Sequence, residues 1–286
     1  EGNASVGILN LGDVALLGGD GVLDMDVNIE QTAFVSGTGD ASVGNVTIGN
    51  LSMVGGDSAD INDFDVHVRA GVTGTGDALV GNVTIGNVLF ISGDSGSGSP
   101  DFTIDVSANA EIGNATIGNV VVGDISITGG DSATGTHEVD VDVLASVATT
   151  GDATIGNVTV GDITVTLGDS ATESRSLTVD IDARTALGNA TIGDVSVGLF
   201  DITVGDGATD SEEAYVRIDA AAGTGDAVIG NVTLGGIKAS LGASGELNYT
   251  AAISVTGSST TALGGNASIG DIAYGIIDVS VSDDSA

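Results

Sequence analysis

The sequence predicts an all-β fold, a β-solenoid built from one coil of 37 residues per repeat, with eight repeats. Three observations lead there. The element G-[DN]-A-x-[VI]-G starts at Gly2, Gly39, Gly76, Gly113, Gly151, Gly188, Gly225 and Gly265, with Leu79 and Val80 varying the third copy. The steps between copies are 37, 37, 37, 38, 37, 37 and 40 residues, so one array fills residues 1–286 without a linker. The chain is rich in Val, Ile, Thr and Gly and lacks a 3.6-residue apolar period, which disfavours helices.

Each unit has two parts. The first is typified by "GDATIGNVTVGDITVT", Gly151 to Thr166, which steps through small, Asx, apolar, hydroxyl and apolar residues every five positions. A flat strand would send Ile155 and Val158 to opposite faces. A corner at each Gly-Asx keeps both inside, because Gly accepts φ > 0 and Asn or Asp tolerates it next best. Short strands A-T-I, V-T-V and I-T-V follow, with Thr outward. The second part, "SLTVDIDA", alternates with period two: Leu177, Val179, Ile181 and Ala183 face one way, and Thr178, Asp180 and Asp182 the other. "EVDVDVLA" and "DFTIDVSA" repeat it.

A unit with one apolar face buries it only by stacking on its neighbours. In-register stacking of eight coils at about 4.8 Å gives a rod core roughly 38 Å long. The alternative is an antiparallel meander of repeated hairpins. The two differ in where Val158, Val195 and Val232 go, since only the solenoid lays them over one another. The eighth unit carries the first part alone, and the first unit opens directly in the repeat.

The five-residue steps resemble those of pentapeptide-repeat proteins over about fifteen residues of each unit. The whole unit is similar to the curlin class of secreted functional amyloid in its Gly/Asn corners and near absence of Pro. Both resemblances imply stacked β-coils, and the second implies an extracellular fibre.

Composition narrows function. Five Lys+Arg against 40 Asp+Glu give a net charge of −35, which excludes nucleic acid and anionic membranes as partners of a cationic surface. Without Cys there is no disulfide or thiolate site, and no apolar run reaches the length of a membrane helix. No motif of a metalloprotease, α/β-hydrolase or P-loop enzyme is present, and aromatics are 3%. The chain reads as no enzyme, secreted or at the cell surface with its leader removed. His67 and His137 are the only histidines and take similar places in different units.

Stacking turns repeated residues into rows. Asn3, Asp40, Asp77, Asn114, Asp152, Asn189, Asp226 and Asn266 line the first corner, and Asn45, Asn82, Asn119, Asn157, Asp194, Asn231 and Asp271 the second. These Asx residues satisfy the turn backbone and form amide ladders between coils, with Asn and Asp mixed so that carboxylates do not lie directly over each other. Asn45, Asn82, Asn157 and Asn231 also sit in N-x-[ST] triplets and are candidate glycosylation sites. Loop residues Asp20, Asp57, Asp94, Asp131, Asp169 and Asp206 form an acidic row and are candidate ligands for Ca²⁺. The stretch "GGDGVLDMD", Gly18 to Asp26, resembles one calcium-binding nonapeptide, with Leu23 in place of its Asp. Further aspartates recur along the second part of each unit. Like charges 4.8 Å apart repel by about 1 kcal/mol in water and 3–4 at an effective dielectric of 20, so cations, salt or spreading side chains must relieve the rows.

The expected role is a structural subunit of an extracellular filament or matrix, assembling with itself head to tail through its terminal coils. The alternative is the stalk of an adhesin or surface-layer protein. An ice-binding solenoid is a lesser option, because Val121 and Ala273 interrupt the outward Thr row.

Overall fold

The computed structural model describes residues 2–21, 26–59, 63–97, 101–260 and 264–281. It is all-β: a parallel β-solenoid of seven complete turns and a partial eighth rung. In the fifth rung the chain makes Ala153–Ile155, Val158–Val160, Ile163–Leu167 and the long strand Thr172–Leu187, which form faces one to four of the coil. Face one is an eight-stranded sheet, from Ala4–Val6 to Ala267–Ile269. Faces two and three join into one 14-stranded sheet, because Val232–Leu241 runs across the corner without a break. The long strands, from Val27–Thr38 to Glu246–Ser259, make the seven-stranded face four.

Every neighbouring pair of strands is parallel and residues pair with their own repeat equivalents: Ala153 with Ala190, Thr154 with Thr191, Ile155 with Ile192. The antiparallel meander is thereby excluded. Val158 pairs with Val195 and Val195 with Val232, and all three are buried. One continuous aliphatic core results, with Ala41, Ala78, Ala115, Ala153, Ala190 and Ala227 stacked beneath the first corner. Phe64, Phe90 and Phe102 bring their rings together within it, Phe102 with Phe64 at 6.0 Å and with Phe90 at 5.9 Å between centroids. The 38-residue step is absorbed near Ala148–Thr149, where the pairing shifts by one residue against Ala110–Ile112 on one side and Thr185–Leu187 on the other.

The corners differ from expectation in their cause. Among the described residues no Asx takes a positive φ; the non-Gly residues that do are Ser58, Ser95, Ser132, Ser170 and Ser244, at 56–58°. Four of them follow the loop aspartates, Ser244 follows Ala243, and Gly21 and Gly207 hold the same place. Positive φ does recur at the first-corner glycines, such as Gly151 at 143°. At the second and third corners φ is ordinary except at Gly236, at 102°, and glycine is required by axial crowding instead. A Cβ on Gly156 would stand 2.6 Å from Asn119 Oδ1 and 2.8 Å from the Gly118 carbonyl oxygen of the rung below. First-rung Gly7 meets nothing within 4 Å.

Gly156→Ala is therefore expected to lower unfolding free energy by about 2–3 kcal/mol, the usual range for overpacking, whereas Gly7→Ala changes it by under about 0.5 kcal/mol. Denaturant titration of both variants checks the pair.

Candidate functional site

The Asx rows form a hydrogen-bond system along the rod axis. At the first corner the backbone N–H of Asp40 donates to Asn3 Oδ1 at 2.9 Å, Asp77 to Asp40 at 3.0 Å and Asn114 to Asp77 at 2.7 Å. The pattern continues through Asp152, Asn189, Asp226 and Asn266. The second corner repeats it from Asn45 to Asp271 and the third from Asp13 to Leu199. Only the acceptor oxygen is used, so Asn and Asp are interchangeable. The expected separation of carboxylates does not hold, since Asp40 lies directly under Asp77. Each link runs from side chain to backbone; of amide-to-side-chain links there is Asn266 Nδ2 to Asp226 Oδ1 at 3.2 Å.

The candidate Ca²⁺ row sits in the same system. Asp20 accepts from the N–H of Asp57, Asp57 from Asp94, Asp94 from Asp131, Asp131 from Asp169, Asp169 from Asp206, and Asp206 from Ala243, at 2.7–3.2 Å. All six are exposed and follow one another up the rod without interruption. One oxygen of each is thus committed to structure. Among the described residues no three His, Asp or Glu side chains converge in a way suited to a metal ion. The row offers a cation a string of separate carboxylates. Residues 22–25 of the nonapeptide-like stretch, Asp24 among them, lie outside the described residues. Asn45, Asn82, Asn157 and Asn231 are exposed at the second corner, each with Oδ1 tied to the rung above.

On face four the register separates aspartates that spacing alone had merged. Asp65, Thr103, Asp140, Thr178 and Tyr215 stack in one row, where hydroxyl residues dilute the charge. The next row is Glu30, His67, Asp105, Asp142, Asp180 and Arg217. His67 therefore aligns with Asp142, and the two histidines are not equivalent. Arg69 Nε donates to Asp105 at 2.8 Å, and Arg217 donates to Asp180 at 3.1 Å and Asp182 at 2.8 Å. Asp142 has no cation in this row beside it. Burial, then Asp105, Asp180, Asp140 and Asp182, push its carboxyl up to about 6. Burial, Glu138, Asp180 and Asp105 raise Asp140 as well. Asp182 is raised by burial despite its contacts with Arg184 and Arg217.

A second cluster lies inside the coil. His137, Glu173, Arg175 and Asp210 occupy inward positions of three consecutive long strands, at the end of the aliphatic core. His137 Nε2 is 2.9 Å from Glu173 Oε2, Arg175 also binds Glu173, and Arg175 Nη1 is 3.2 Å from Asp210 Oδ2. None of the four side chains is more than 5% exposed. Gly129 on the facing strand makes room, since a Cβ there would meet Glu173 Oε1 at 2.5 Å. Burial opposes the Glu173 charge, but hydrogen bonding to His137 and the Arg175 charge outweigh it and hold the carboxyl below its ordinary value. Burial outweighs Arg175 at Asp210 and raises that carboxyl. The alternation of the long strand contained the signal for this cluster: Glu173 and Arg175 share the parity of Leu177, and His137 that of Val139. All five Lys and Arg contact carboxylates, the last being Lys238 with Asp201 at 3.0 Å.

The chain matches no protein-family model, no curated protein and no solved structure.

Two outcomes are expected. Asp152→Asn keeps the acceptor and leaves stability nearly unchanged, whereas Asp152→Ala costs about 1 kcal/mol, readable by denaturant titration. Asp142 binds a proton more readily folded than unfolded, so its contribution to stability rises as pH falls through about 6 toward the ordinary aspartate value of 3.8. Asp142→Asn is expected to stabilise the protein at pH 7.5 by on the order of 1 kcal/mol after solvent screening and to flatten that acid gain, measured as Tm against pH.

Proposed function

We propose that the chain is a structural protein: the subunit of an extracellular filament or matrix, joining copies head to tail, with an acidic surface tuned by cations such as Ca²⁺. The observation that carries this reading is the self-templating rung. Each rung presents Asx Oδ1 acceptors to the rung above and backbone N–H donors with Cβ-free glycines to the rung below. Any rung fits any other.

Two edges favour end-to-end growth. In the first rung Gly2, Gly7, Gly12 and Gly19 have nothing within 4 Å of where a Cβ would stand. In the eighth, Ile272 and Val279 are 55% and 60% exposed, where their counterparts Val232 and Ala239 are buried. An arriving copy would cover both surfaces, while the charge of −35 holds rods apart sideways. The curlin-like resemblance agrees with such a fibre. The same edges equally suit further rungs of a longer chain, which is the stalk of an adhesin or surface-layer protein.

Electron microscopy of the purified chain with and without Ca²⁺ distinguishes the two. Unbranched filaments are expected, lengthening with protein concentration and with cation. Gly7→Gln together with Gly12→Gln adds side chains into open space within one copy but into the backbone of a stacked one. The double variant is expected to stay folded and lose filaments. A wild-type rod that remains monomeric in all salts, or a double variant that polymerises like wild type, overturns head-to-tail assembly.

A further inference from the structure

We propose that the buried cluster of His137, Glu173, Arg175 and Asp210 is an acid-released latch, closing one flank of the solenoid across rungs four to six. The cluster joins the starts of three strands, Thr134–Thr150, Thr172–Leu187 and Thr209–Ala222, at the margin where the aliphatic core ends. Gly135, Glu173 and Asp210 share one row and His137 and Arg175 the next, so each ion contact crosses from one rung to its neighbour or along one strand. Beyond the cluster, Leu247 and Tyr249 hold the same two rows in rung seven.

The charges balance only while the carboxylates are ionised. The Arg175 guanidinium has Glu173 and Asp210 as its partners. Protonation of both carboxyls removes the negative charge. The guanidinium then sits in a dry space with no anion, a state that buried groups escape by opening to water. Two further carboxyl residues lie near the cluster, Asp101, whose carboxyl interacts with His137, and Glu212, which takes the Arg175 row on the next strand, and both lose negative charge in the same direction as pH falls. The third-face strands packed on it, Ile125–Gly129, Ile163–Leu167 and Phe200–Val204, carry one titratable residue, Asp201, which binds Lys238. On the long strands themselves Glu138 and Glu213 are exposed on the opposite, outward parity. Among the described residues three buried atoms, His137 Nδ1, Arg175 Nε and Asp210 Oδ1, find no hydrogen-bond partner, so the closed form already leaves polar groups for water to reach.

The rest of the molecule responds with the opposite sign. Outside, Asp140 and Asp142, whose carboxyls burial and neighbouring carboxylates raise, repel those neighbours less once protonated, so acid tightens face four. Opening is therefore confined to residues 134–138, 172–176 and 209–213. It turns the interior around Leu167 and Val204 toward solvent.

Hydrogen exchange of the intact chain at pH 7.5 and 3, corrected for intrinsic rates, tests the latch. The three segments are expected to lose about tenfold or more protection at pH 3, below the ordinary range of Glu173, while residues 64–72 and 102–108 keep or gain it. Glu173→Gln is expected to open the same segments at pH 7.5. A fully apolar lining, His137→Phe with Glu173→Leu, Arg175→Met and Asp210→Leu, is expected to show equal protection at both pH values. The latch is overturned if the three segments stay protected at pH 3, if protection falls equally at 64–72, or if the apolar variant opens in acid like wild type.

Discussion

Axial stacking of identical rungs at hydrogen-bond distance is the constraint on which the remaining structure depends. Parallel in-register pairing brings each corner within contact of the same corner one rung away. No room is left for a Cβ: at Gly188 it would lie 2.0 Å from the Gly151 carbonyl oxygen. Glycine therefore recurs for reasons of distance at most corners and of φ at only some. The Asx side chain beside it converts that closeness into a bond, reaching one rung up the rod. Proline is nearly excluded, one in 286 residues, because the backbone N–H is the donor that each step needs.

The same repetition that builds the core stacks like charges, and the molecule answers this in three ways. The loop row keeps its aspartates exposed and ties one oxygen of each to a backbone N–H. Face four offsets its rows so that Thr103 and Thr178 separate carboxylates, and it places Arg69 and Arg217 at the ends of the Asp105–Asp142–Asp180 stack. The interior admits charge only as a mixed cluster in which Arg175 binds both a glutamate and an aspartate. These answers have different pH dependences. Protonation relieves Asp142 of repulsion in the outer row, whereas in the inner cluster it would take from Arg175 a carboxylate it binds.

Much of this was legible beforehand because periodicity is a local signal. Gly-Asx every five residues located the short strands to the residue at Ala153–Ile155 and Val158–Val160, and period-two alternation placed Val179 and Ile181 inside. The candidate site was less legible. Asp105 and Asp140 look equivalent in the linear repeat, yet they occupy different rows. His67 and His137 look alike too, but one lies on the outward parity and the other inside. Which residue sits above which on face four depends on loop and bulge lengths that the corner spacing does not report.

The sequence by itself determined the β-solenoid, its 37-residue coil, the faces of its strands and the acidity of its surface. Those follow from side-chain pattern, which each segment carries alone. Tertiary structure decided the register of the long strands, the reason for each corner glycine and the meeting of His137, Glu173, Arg175 and Asp210. Those depend on distances between rungs, and an interaction across 35 residues exists only once the coil has closed on its neighbour.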